Sequence, residues 1–396
     1  MGKQTCIGVD GVARKVKNMY IGIDGVARKI KKAYIGVNGV ARLFWTSEIV
    51  SYHSVIKNVL QYRKARLAGI SVGNYAVFAG GTAYYSVETG NGWETNESLT
   101  VDALDTNLTK VSGITPLSKK RADLVSGKVG NYAVFAAGYQ GITGDTNVAA
   151  VDAYDSSLVK VQSIKSLTDS KMGRGMSVVE FENHVLFGGS YQSNSSDIVA
   201  YDKSLTQTQL TDLMSLGGGH GTATIGNYGL FVGCRNYSGT KKTNVNIYDT
   251  SLTKVSTSLA LSQGASDLTG ATIGDNCIFV NDVYACRMTS SLTLVYDIDT
   301  RTKISDNIYM SRNGGRGFTI GNEAIVSWIY DRWSSPKQMI FDVYDESLTH
   351  RAVTIEPGTN KANCAPAKFN GYMLLAGGNE QGNDDSNTSD VLVLTI

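Results

Sequence analysis

The feature that most constrains this chain is a short phrase, Gly73-Asn74-Tyr75-Ala76-Val77-Phe78-Ala79-Gly80-Gly81, whose variants return six more times at near-constant spacing. The returns begin at Gly130, Glu182, Gly226, Gly274, Gly321 and Asn370. Each reads as a tight turn followed by a short apolar strand, because Gly and Asn tolerate the positive φ of a two-residue hairpin turn and the residues after them are apolar. A second marker, a Tyr-Asp or related pair closing a β-branched strand, places Asp105, Asp155, Asp202, Asp249, Asp297 and Asp345 at intervals of 50, 47, 47, 48 and 48 residues. After most of these comes Ser-Leu-Thr or a near relative, then another apolar strand. One unit therefore holds four short antiparallel strands, and a period near 48 built this way is the pattern of a β-propeller blade. The 43 Gly, 4 Pro and 21 Tyr of the 396 residues suit a turn-rich all-β chain.

Seven copies of the Gly-Asn strand imply seven blades over residues 47–396. The last copy ends at Val391-Leu392-Val393-Leu394-Thr395-Ile396, a third strand with nothing after it. Residues Glu48 to Val55 precede the first inner strand and can supply the missing fourth strand, which would join the two ends of the ring and remove an exposed edge.

At this point the body resembles the kelch family, whose blades carry an apolar strand ending in Gly-Gly. That pair stands at Gly80-Gly81, Gly188-Gly189 and Gly377-Gly378 and is altered to Ala137-Gly138 and Val232-Gly233 elsewhere. The later Trp of that family is missing, so the resemblance implies a kelch-like, seven-bladed β-propeller. It covers about 340 residues and is carried by the period more than by any one motif.

Residues 1–46 follow another clock. Ile7-Gly8-Val9-Asp10-Gly11-Val12-Ala13-Arg14 recurs from Ile21 and, with Asn38-Gly39, from Ile35, a repeat of 14 residues. Asp-Gly or Asn-Gly between β-branched residues predicts a hairpin in each copy. The arm carries nine Lys/Arg against two Asp, leaving 28 Lys/Arg against 33 Asp/Glu for the rest. Its cations include Arg14, Lys15, Lys17, Arg28, Lys29, Lys31, Lys32 and Arg42, which read either as a solvated strand face or as a surface for an acidic partner. Hairpins this small need a neighbour, so the expectation is an attachment or assembly arm, with homo-oligomerisation through it as one form; a disordered basic tail is the plain alternative. The repeats resemble those at the N-termini of structural and tail proteins of gut Firmicutes phages and prophages. That resemblance implies other virion structural proteins as partners of residues 1–46.

In a four-stranded meander the links from strand 1 to 2 and from 3 to 4 open on one face, and those from 2 to 3 and from 4 to 1 on the other. The first face receives the tight Gly-Asn and Ser-Leu-Thr turns. The second receives every long link, including Asn281 to Ser290, and is where a rigid scaffold usually carries its function. Aromatic residues open these links or stand in them, namely Tyr84, Trp93, Tyr139, Tyr191, Tyr237, Tyr284, Tyr330 and Trp333. They suit sugar stacking or a protein epitope, or else wedge between blades. The links from strand 4 to 1 bring Arg66, Arg121, Arg174, His220 and Arg316 toward the same mouth, as a ring for an anionic ligand or as salt-bridge partners of blade aspartates.

The four histidines are too scattered for a metal cluster or a His-based nucleophile system, and no catalytic residue is assigned. No cofactor is expected, although Asn383-Asp384-Asp385-Ser386-Asn387 could hold Ca²⁺ through oxygen ligands. Five dispersed cysteines do not form a disulfide framework, but Cys277 and Cys286 are near enough in sequence to pair across a hairpin. Nothing in the pattern implies nucleic acid, a signal peptide or a membrane span. The combined expectation is a non-enzymatic virion or tail-associated protein that recognises a host-surface glycan or protein. A carbohydrate-active enzyme on a propeller scaffold and an intracellular kelch-like adaptor are the alternatives.

Overall fold

The computed structural model describes the backbone of residues 6–9, 12–15, 20–23, 26–29, 32–37 and 40–46. In the body it describes residues 51–86, 93–141, 146–167, 172–191, 197–210, 217–281, 284–295, 317–320, 323–331, 338–345, 350–355, 363–379 and 387–396, with backbone alone for 84–86, 93–96, 327–331, 338 and 355. All of the regular structure among these residues is β. No helix there is long and apolar enough to cross a membrane.

The body is a seven-bladed β-propeller. The first strands of blades 1 to 7 begin at Ala68, Val125, Ser177, Gly221, Thr269, Phe318 and Ala365, and each pairs antiparallel with the strand that follows its tight turn. In blade 1, Tyr75 faces Val72 across a turn in which Gly73 has φ +53°. The second strands are buried along most of their length, because they lie between two neighbours in the sheet and between two blades. The Tyr of the Tyr-Asp pair explains that marker. Tyr154, Tyr201 and Tyr248 are fully buried and meet Phe135, Phe187 and Phe231 edge-on at 6.1, 6.1 and 6.0 Å, the arrangement ring quadrupoles favour. The Tyr154 hydroxyl donates to the Thr115 carbonyl and the Tyr201 hydroxyl to that of Lys165, so each also ties its blade to the segment before it.

The ring closes as expected. Ser51–Ile56 is the fourth strand of blade 7, with Ile56 facing Val391 and Ser51 facing Thr395. Glu48 to Val50 of the expected strand lie outside the described residues. In the arm, Cys6–Val9 pairs with Val12–Lys15, Tyr20–Ile23 with Val26–Lys29, and Lys32–Val37 with Val40–Thr46, three hairpins in the expected places. Arg14, Lys15, Arg28, Lys29, Lys32 and Arg42 lie in these strands, while Lys17 and Lys31 fall outside the described residues.

Blade 5 departs from the expectation. Its third strand is Ala285–Thr289, reached by a link that opens at Asn281, and its fourth is Leu294–Val295. The stretch Asn281 to Ser290 is therefore mostly strand, and Leu294–Val295, expected to lead into a Tyr-Asp pair closing the third strand, belongs to the fourth; Tyr296 and Asp297 lie outside the described residues. Thr289 takes the place of the aspartate. Its Oγ1 accepts from the Thr293 N–H at 3.2 Å, and Leu292 takes the left-handed conformation found in the other blades. Cys277 faces Met288 and Cys286 faces Phe279, so the two cysteines are not cross-strand partners. Both are free and buried, and burial pushes each thiol up to about 12.

Candidate functional site

The two faces of the ring are built differently. On the tight-turn face, Asp105, Asp155, Asp202 and Asp249 each accept two backbone hydrogen bonds through Oδ1, from the residues two and four places on, at 2.8–2.9 Å. The fourth residue of each turn is Leu108, Leu158, Leu205 or Leu252, with φ between +61° and +65°. A left-handed leucine costs about 1–2 kcal/mol, and contact with the blade core offsets it: Leu158 is buried, and Leu108, Leu205 and Leu252 pack against core clusters.

On the other face, the residue two places before the first strand forms a collar at the mouth of the channel in six blades, the blade 6 counterpart, Arg316, lying outside the described residues. Arg66, Asp123, Gly175, Gly219, Asp267 and Asn363 occupy it, with φ of +59°, +48°, +80°, +72°, +55° and +52°. Backbone hydrogen bonds run from blade to blade around it. The Arg66 N–H donates to the Asn363 carbonyl (2.8 Å), Asp123 to Arg66 (3.0 Å), Gly219 to Gly175 (2.9 Å) and Asp267 to Gly219 (2.8 Å). Every described non-glycine member also uses its side chain. Arg66 Nη1 donates to the Tyr139 hydroxyl at 3.0 Å, and Asp123 lies 2.8 Å from Arg174, whose guanidinium stands 5.1 Å over the Tyr139 ring. Asn363 Nδ2 donates to Asn379 Oδ1 at 3.0 Å. Asp267 accepts from the Tyr191 hydroxyl and lies 3.5 Å from Arg235, which stacks on the Tyr191 ring at 4.3 Å.

The glycines of the collar have a steric reason. A Cβ on Gly175 would meet the Tyr191 ring and one on Gly219 would meet its hydroxyl, so Tyr191 extends over the entrances of blades 3 and 4 to reach blade 5. Below the collar, the channel holds a cavity of about 350 Å³ lined by the first strands of blades 1, 2, 3, 6 and 7. Lys368 reaches the Thr319 carbonyl there at 2.6 Å, and partial burial lowers its pKa.

Of the two expectations for these cations, salt bridges to aspartates hold for Arg121 and Arg174, and the residues do not form one equivalent ring. Arg66, Arg121, Arg174 and His220 stand two, four, three and one residues before their first strands, so they are not equivalent. Arg66 and Arg174 belong to the mouth, each with a partner. Arg121 is buried against Asp152 at 2.8 Å, with Lys160 also 2.8 Å from that carboxylate. Burial pushes the Asp152 carboxyl up, but Arg121 and Lys160 outweigh it and hold it below the usual range. Blade 1 repeats the pattern with Lys64, buried 2.8 Å from Asp102. His220 is fully buried with no hydrogen-bond partner on either ring nitrogen among the described residues, and burial lowers its pKa to about 3.

No family model matches this chain. No curated protein matches it either. A propeller with a preorganised polar mouth is nonetheless a scaffold suited to recognition and binding.

The aromatic residues divide by burial. Tyr139 and Tyr284 are buried wedges, Tyr191 is half-buried in the collar, and Tyr237 is exposed. The backbones of Tyr84 and Trp93 lie in an extra hairpin, Thr82–Ser86 with Trp93–Glu97, which pairs with Arg63–Ala65. Tyr330 lies opposite Met339 in blade 6. Trp333, Arg316 and residues 383–386 of the expected Ca²⁺ loop fall outside the described residues. No group of three or more metal-binding side chains occurs among the described residues. The sequence reading missed Asp123, Asp267, Asn363 and Arg235. The usable signal was residue type: Gly, Asn and Asp at a fixed place before a first strand.

Proposed function

We propose that this protein is a non-enzymatic recognition module of a phage or prophage virion, attached through residues 1–46 and reading a host-surface glycan or protein with its long-link face. One observation carries the reading. Four of the six described collar positions hold Arg, Asp, Asp and Asn in a backbone conformation that glycine adopts without cost, and all four side chains are engaged at the mouth. Held left-handed residues recur at ligand sites, and unlike the left-handed leucines of the opposite face, which pack into the blade core, these four present charged or amide groups at the mouth. The opposite face supports the same orientation, since its turns are near copies of one another and the strand joined to the arm, Ser51–Ile56, begins there. The kelch-like reading of the blades and the phage-like reading of the arm belong to this proposal, as does association of several copies through the arm.

The test uses the full chain, fluorescently labelled, on intact Firmicutes cells. Wild type decorates the cells, and an Arg66→Ala/Arg174→Ala variant of unchanged melting temperature loses most of that signal. Equal binding by the two removes the mouth as the ligand site. Mass spectrometry of purified particles tests the virion assignment, and absence of the chain from them overturns it.

A further inference from the structure

Blade 4 differs from its neighbours in how its second and third strands are joined. Tyr228–Arg235 and Lys241–Asp249 continue past the usual end of the blade and are joined by the turn Asn236 to Thr240. The turn has the hydrogen bonds of the opposite face: Asn236 Oδ1 accepts from the Thr240 N–H at 2.8 Å, and Gly239 takes the left-handed place with φ +83°. Both edges of this finger are braced. Arg235 and Gly218 exchange two backbone hydrogen bonds of 3.0 Å, while Ala260–Ala265 pairs as an additional strand beside Lys242 and Asn244. At the tip stands Tyr237, 76% exposed, the most exposed large apolar side chain among the described residues.

The charge of the finger is one-sided. Residues 213–248 contain no Asp or Glu, and they carry Arg235, Lys241 and Lys242 in a body whose acidic residues are in excess. Arg235 and Lys241 lie directly opposite each other across the hairpin, and facing like charges destabilise a strand pair. Arg235 has Asp267 as a counter-charge, but Lys241 has no carboxylate partner among the described residues. A ring carried on a braced backbone beside a cation without a counter-charge loses less conformational entropy when a ligand arrives than one on a loose loop.

We propose that the blade-4 finger is a binding site for acidic polysaccharide, with a sugar ring stacked on Tyr237, its carboxylate or sulfate groups facing Lys241, and Lys242, on the other face of the strand, adding to the positive field of the tip. This rests on the recognition reading above and assigns its ligand class and its blade. Affinity electrophoresis of the full chain in gels containing polygalacturonate, hyaluronate or neutral dextran tests it. Wild type should be retarded by the acidic polymers and not by dextran. Tyr237→Ala should bind about tenfold more weakly, as expected for an aromatic hot spot, with an unchanged melting temperature, and Tyr237→Phe should retain binding. Lys241→Gln/Lys242→Gln should lose most of the salt dependence. Acidic-polymer binding unaffected by these variants overturns the finger and leaves recognition at the mouth standing. Equal retardation by dextran overturns the role of charge. No retardation by any polymer overturns the inference, whereas the cell-decoration test decides the recognition reading independently.

Discussion

The two faces of the ring solve the same problem, joining strands, in opposite ways. On the tight-turn face one solution is copied: an aspartate that accepts two N–H groups, with a left-handed leucine three residues later. At the mouth, equivalent backbone positions hold Arg, Asp, Gly, Gly, Asp and Asn, and each side chain has a different partner. Repetition is what assembly requires, since every blade must fit its neighbour. Divergence at fixed backbone geometry is what recognition requires. Removing a part should therefore cost the same in every blade on one face and a blade-specific amount near the other.

The largest expected effect lies beneath the mouth, where blades 1 and 2 share a buried ion pair with different support. Among the described residues Lys64 is the only cation in contact with Asp102, whereas Asp152 has both Arg121 and Lys160. Lys64→Met leaves a buried carboxylate uncompensated and should cost about 3–5 kcal/mol in urea unfolding. Arg121→Met should cost clearly less, because Lys160 remains. Equal losses would break the comparison, since the two blades would then be interchangeable here as well.

Blade 4 has a buried histidine at this level instead. Its low folded pKa means that the folded state stays neutral while the unfolded chain, near 6.5, takes up a proton. The stability this represents is complete above about pH 6.5 and is lost as pH falls toward 3. Between pH 6.5 and 4 the loss should reach about 3 kcal/mol. His220→Leu should flatten that part of the profile. An unchanged acid slope in the variant would assign the loss to carboxylates, for which Asp152 contributes only below the unfolded value near 4.

The copied features were legible in the sequence because each depends on a few adjacent residues. Gly73-Asn74 makes its own turn, Tyr154-Asp155 both packs a blade and caps a turn, and the Val391–Thr395 strand calls for the partner it finds at Ser51–Ile56. Blade 5 was misread by following Tyr296-Asp297, although Ser291-Leu292-Thr293 stood in the correct place, with the Thr289 hydroxyl substituting for a carboxylate. The mouth was legible only in part. Its cations are offset from one another by single residues, so whether Arg121 is buried or Arg174 reaches the surface depends on the collar geometry and not on local composition.

The smallest effect tests the tight-turn face, and it tests uniformity as much as magnitude. Asp202→Ala removes the acceptor for the Ser204 and Thr206 N–H groups at an exposed site and should cost about 1 kcal/mol. Asp202→Asn should cost little, because an amide oxygen already does this work in the Asn236 turn of the same chain. The same pair of changes at Asp105, Asp155 and Asp249 should reproduce these values within about 0.5 kcal/mol and add when combined, as distant sites do. Unequal or non-additive losses would mean that the turns touch something besides their own blades. The charge-neutral Asn variants would then separate a partner that reads the carboxylates from one that needs only the shape.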